Sequence, residues 1–85
     1  MKELKKWNAR GHGKLQNCSI YVAAYSQKQA AELVGKACKL DRSIGIHELK
    51  NYYSECWGDP MKGIEPTEQC VYAGSKYDKK PIKIL

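Results

Sequence analysis

The clearest pattern in this chain is an alternation over residues 18–25. Cys18, Ile20, Val22 and Ala24 fall on one side, and Ser19, Tyr21, Ala23 and Tyr25 on the other. A two-residue period with β-branched and aromatic side chains predicts a strand. Ser26 then reads as a helix N-cap, with Gln29 three residues on to complete a capping box and Tyr25 against Ala30 as a hydrophobic staple. From there Ala30, Leu33, Val34, Ala37 and Cys38 recur at helical spacing, which predicts an amphipathic helix.

After a connection over 40–44 the period remains helical. Ile46, Leu49, Tyr53 and Cys56 lie three to four apart, with Tyr52 and Trp57 widening the stripe. A second helix is therefore expected from Gly45 or Ile46, stopped by Gly58 and Asp59-Pro60. Residues 59–68 read as a loop. Residues 70–73 read as a short strand and 81–85 as another, its leading Pro81 suited to an edge or a first position. Before Cys18, Trp7 can anchor a further strand or a single turn, and RGHGK over 10–14 reads as a loop. The expected fold class is α+β: two helices packed on a small, mostly antiparallel sheet in the order β-α-α-β-β, with room for an extra N-terminal strand. A length of 85 residues limits this to one domain over 1–85.

Charge changes the picture more than composition does. Of the formal +6, residues 1–14 hold Lys2, Lys5, Lys6, Arg10 and Lys14 against Glu3 alone. The last ten hold Lys76, Lys79, Lys80 and Lys83 against Asp78, which leaves residues 15–75 close to neutral. If the ends meet they form one basic patch; otherwise both are solvated, Lys-rich segments. No hydrophobic stretch of signal-peptide or membrane-spanning length is present, so a cytosolic location with no membrane partner is expected. Cys18, Cys38, Cys56 and Cys70 form no CxxC pair, and each falls on the apolar phase of its element. Buried thiols fit this better than disulfides or a zinc site, and no metal or other cofactor is expected.

Enzyme signatures such as GxSxG, HExxH, the P-loop and GxGxxG are missing from the sequence. His12 sits between glycines, and His47 beside Glu48 suits capping or solvation. The expected second helix exposes Glu48, Lys50, Asn51, Ser54 and Glu55, a balanced set unlike a DNA recognition helix. The strongest local signal for anion binding is Arg10-Gly11-His12-Gly13-Lys14. There two glycines let backbone N–H groups approach a phosphate, and Arg10 and Lys14 supply charge. Phe is absent while Tyr occurs six times and Trp twice, so nearly every aromatic carries a polar handle suited to interfaces or base stacking.

The stretch YVAAYSQKQAAELVG over 21–35, followed by HELKNYYS over 47–54, resembles small tailed-bacteriophage proteins. In those proteins a strand runs into a Ser-capped Ala-Ala-x-Leu helix and a second helix carries Leu-x-x-Tyr. The resemblance implies a context of action on host machinery: inhibiting a defence system, sequestering a signal nucleotide or binding nucleic acid. It carries no residue roles.

The expectation is thus a non-enzymatic accessory protein that binds an anionic partner, nucleic acid or nucleotide, in the cytoplasm (the host's, if phage-encoded). Arg10, Gly11, His12, Gly13 and Lys14 form the cradle, Lys5, Lys6, Lys79 and Lys80 add field, and Tyr21, Tyr25 or Tyr77 stack or form an interface. The alternatives are a protein-binding inhibitor of a bacterial defence complex, such as an anti-CRISPR with Tyr and Trp anchors, and a structural or assembly protein. Homo-oligomerisation is left open.

Overall fold

A computed structural model of the chain describes residues 3–52, 61–75 and 81–85, with the Ser75 side chain excepted. Among these residues the chain forms strand β1 (Lys5–Arg10), strand β2 (Cys18–Ala24), helix α1 (Gln27–Ala37), and strands β3 (Lys50–Asn51), β4 (Cys70–Ser75) and β5 (Ile82–Lys83). Short 3-10 turns occupy Gly13–Leu15 and Ile46–Glu48. The strands make one sheet in the order β3-β1-β2-β4-β5, antiparallel throughout.

The expectation of two helices on a small sheet is corrected here to one helix on a five-stranded antiparallel sheet. Ile46 and Leu49, whose spacing suggested a second helix, belong to a single 3-10 turn. At Leu49 the backbone becomes extended, with φ −85° and ψ 126°. Lys50 and Asn51 then pair with Asn8 and Trp7, and the Tyr52 N–H donates to the Lys6 carbonyl at 3.2 Å. The outer edge of β1 holds a row of backbone donors and acceptors, and pairing with it outweighs a weak local preference for helix. The rest of the expected helix, with Tyr53, Cys56, Trp57 and its Gly58 and Asp59-Pro60 stop, lies outside the described residues. The strand anchored by Trp7 is present as β1.

The expected strand-to-helix unit is present. Ser26 Oγ accepts the Gln29 N–H at 3.2 Å, so the cap forms. The capping box stays half-made, because the Gln29 side-chain Oε1 has no hydrogen-bond partner among the described residues. Gln27 does more: its Nε2 donates to the carbonyls of Ile46 at 2.8 Å and Leu49 at 3.0 Å, tying the start of α1 to the second turn. At the other end Lys39 takes a left-handed φ of 59°. Its N–H donates to Lys36 O, and the Leu40 N–H to Gly35 O at 2.8 Å, a Schellman closure with lysine where glycine is usual. The chain then runs back across the helix at Gly35, where a Cβ would stand 2.2 Å from the Arg42 carbonyl oxygen.

Strand alternation and register divide the sheet into two faces. Ala9, Ile20, Val22, Ala24, Val71 and Ala73 join Ala30, Ala31 and Val34 of α1, with Cys38, Ile44 and Leu49, in one buried cluster. The opposite face carries Lys6, Asn8 and Arg10 from β1, Ser19, Tyr21 and Ala23 from β2, and Cys70 and Tyr72 from β4, with Lys50 and Lys83 on the outer strands. Tyr21, Ala23 and Cys70 are buried on that face, and Met61 is buried too. Cys38 and Cys70 are buried free thiols and Cys18 a half-buried one, while Cys56 lies outside the described residues.

Candidate functional site

The β1–β2 hairpin ends in the segment singled out for anion binding, and its glycines have a backbone explanation. The Gly11 N–H donates to the Cys18 carbonyl at 3.1 Å, and a Cβ on Gly11 would stand 1.7 Å from the Leu15 carbonyl oxygen. Gly13 has φ +59°, a left-handed conformation that favours glycine. Both positions are required by the turn itself, whatever it binds. The turn closes through Leu15 N–H to His12 O at 3.0 Å and Gln16 N–H to Gly13 O at 3.2 Å.

Glu48 reaches this hairpin from the second turn. Its Oε1 lies 2.8 Å from His12 Nε2, and its Oε2 accepts the Gly45 N–H at 3.0 Å. Burial by itself would push this carboxyl up. The Gly45 hydrogen bond, the His12 hydrogen bond and the charges of His12 and His47 outweigh it and hold the carboxyl below its ordinary value. Glu48 is therefore an ionised, oriented acceptor at neutral pH, and each of its oxygens keeps a further lone pair for a ligand.

Two neighbouring cavities share Arg10 and Glu48. One of about 390 Å³ is lined also by His12, Gln16 and Asn17, with Gly11 and Gly13. The other, of about 300 Å³, adds Asn8, Ser19 and Lys50. Together they form a polar trough at the end of the face opposite α1. It contains two exposed cations, one paired carboxylate, and amide and hydroxyl groups able to donate and accept.

The structure separates several residues that sequence reasoning grouped. Arg10, Gly11, His12 and Gly13 line the trough, but Lys14 lines a different, apolar cavity beside Leu15 and Lys39. Lys5 lies opposite Ala24, on the helix side of the sheet, whereas Lys6 lies on the other face. Lys6 Nζ is 5.9 Å from the centroid of the Tyr52 ring and 4.0 Å from Glu65. Tyr21 is only 7% exposed and meets Tyr52 edge-on, with centroids 5.7 Å apart at 90°. Its ring is packed into the sheet face; Tyr25, at 38% exposed, is the open one. Lys79, Lys80 and Tyr77 lie outside the described residues. Of the C-terminal basic end only Lys83 is described; it lies on β5, which β2 and β4 separate from β1 by about 14 Å at strand spacing.

Sequence reasoning missed Glu48, Asn8, Gln16, Asn17, Ser19 and Lys50 as parts of one site. No local signal unites them, since the pairing of β3 with β1 brings positions some 40 residues apart together. Tyr72 was also missed. It is half-buried on the face opposite α1, where burial, then the charge and hydrogen bond of the Cys70 thiol, push its phenol up, so it stays a neutral hydroxyl at physiological pH. Among the described residues no group of three His, Cys, Asp or Glu could hold a metal ion, and no helix is long and apolar enough to cross a membrane. No protein-family model, curated protein or solved structure matches this chain.

Proposed function

We propose that this chain is a non-enzymatic binding protein for an anionic partner, a nucleotide or a nucleotide unit of nucleic acid, taken into the polar trough at the hairpin end of the sheet. The observation that carries the reading is the convergence of Arg10 and Lys50, from different strands, on a trough whose other polar walls are Asn8, Gln16, Asn17, Ser19 and Glu48. Arg10 and Lys50 contact phosphate, Arg10 with the planar fork that suits it. The amides and the Glu48 carboxylate take the donors and acceptors of sugar and base. Lys6 and Lys83 on the same face extend the field that draws in a polyanion. The resemblance to tailed-phage proteins supplies the context of this proposal: the cytoplasm of an infected cell, against a host defence system.

The test is fluorescence anisotropy with labelled single- and double-stranded DNA and RNA and with a panel of cyclic and ADP-ribose-type nucleotides. Wild-type affinity for a nucleic acid should fall log-linearly with salt, by roughly one counterion per phosphate neutralised. Arg10→Glu with Lys50→Glu should abolish binding and leave the melting temperature unchanged, since exposed charges contribute little to folding. No wild-type affinity for any of these ligands at low salt would sink the reading.

A second reading, a protein-binding inhibitor of a defence complex, is favoured by one observation. At the far edge of the sheet Ile82 is 65% exposed on β5, with Ile84 and Leu85 also open. Apolar side chains exposed on an edge strand and just after it suit contact with another protein.

A further inference from the structure

We propose a second ligand site, which shares only Gly13 with the trough: the cavity of about 510 Å³ between the Gly13–Leu15 turn, the end of α1 and Ile84 just after β5 binds a small monocarboxylate with an apolar tail, the chemistry of a medium-chain fatty acid. Its walls are Leu15, Ala37, Cys38, Leu40 and Ile84. The volume lies in the range of small-molecule sites, and the wall is apolar where the trough is polar. Leu15, Ala37 and Leu40 remain half-buried and Ile84 is 37% exposed. A tail that covers them removes apolar surface from water.

Charge selects the head group. Lys14 and Lys39 are both exposed and line the cavity, and no carboxylate is among its described lining residues, whereas Glu48 lines both cavities of the trough. A carboxylate placed beside a helix C-terminus would ordinarily meet the negative end of the helix. Here the Schellman closure occupies the carbonyls of Gly35 and Lys36, and Val34 O is taken by the Cys38 N–H at 2.9 Å. The same left-handed turn places Lys39 at the cavity. Lysine stems can lie along the apolar wall while their ammonium groups meet the head group.

Titration calorimetry with hexanoate, octanoate and decanoate, and with decanol and decylamine as controls, tests the site. Affinity should rise about threefold to fourfold per added methylene. Decanoate should bind more tightly than decanol, and decylamine least. Lys14→Glu with Lys39→Glu should weaken decanoate about tenfold, as expected for losing two partly exposed ion pairs. Ala37→Phe, which fills the cavity, should abolish binding; if that variant does not fold, the lysine pair still decides. Amide NMR shifts should fall on Leu15, Leu40 and Ile84. Absence of decanoate binding at millimolar concentration, affinity independent of chain length, equal binding of decylamine, or shifts confined to Arg10 and Lys50 would each overturn the proposal.

Discussion

Ile20 and Tyr21 are neighbours in β2 and both are buried, but their two faces are closed in different ways. Ile20 belongs to the cluster under α1, where every contributor is apolar and the helix supplies Ala30, Ala31 and Val34 across the sheet. Tyr21 belongs to the face opposite α1, where among the described residues the polar-tipped Tyr52 packs on its ring. Tyr52 meets its ring edge-on, and the Tyr52 hydroxyl accepts the N–H of buried Met61 at 3.0 Å. Along the same face, toward Arg10, Ser19 and Lys50, the side chains are exposed. One side of the sheet is thus committed to stability, and the other has an open end where polar groups gather without being buried. Function can vary there at little cost to folding.

Two neighbouring substitutions in β2 should separate the two faces most widely. Ile20→Ala should cost about 3–4 kcal/mol, as fully buried large-to-small changes do. For a domain of this size that approaches the whole stability. Ser19→Ala, one residue earlier and on the open face, should change stability by less than about 0.5 kcal/mol. Urea unfolding monitored by circular dichroism reads both, and similar costs would mean that the faces are misassigned.

Next in size is the hairpin. Gly11→Ala forces a Cβ against the Leu15 carbonyl oxygen, and should cost about 1–3 kcal/mol as overpacking does. It should also weaken ligand binding at the trough, since the turn carries His12 and positions Gln16. A variant with wild-type melting would show that the turn relaxes freely.

A smaller effect concerns Glu48. Its folded carboxyl sits below the ordinary value of 4.5, so it contributes stability that is present above that value and lost as pH falls through the folded one. Glu48→Gln should therefore be less stable than wild type at neutral pH, with the gap closing below about pH 4.5. Thermal melts from pH 3 to 7 measure this, and a gap that stayed constant would remove the His12–Glu48 link from the account.

The smallest effect should be a gain. Lys39 holds a left-handed backbone that glycine adopts without strain, so Lys39→Gly should stabilise the chain by about 0.5–1 kcal/mol. Loss of stability would show that the lysine stem packs at the helix end.

What could be read directly was whatever depends on neighbours in sequence. The alternation over 18–25, the Ser26 cap and the stripe through Ala30 and Val34 announced β2 and α1, because a strand's period and a helix's period are local properties. The turn at Gly11 and Gly13 was also legible, although as a loop rather than as the reason for both glycines. The second helix was misread because Ile46 and Leu49 suit a 3-10 turn as well as a helix. Only the free edge of β1, a feature of the assembled sheet, decides between them. The same pairing carries Lys50 to Asn8 and accompanies the approach of Glu48 to His12, so the trough arises from strand order and register. Lys14 and Arg10, four residues apart, part to different cavities for the corresponding reason: where a charge points is set by the surface that packs beneath it.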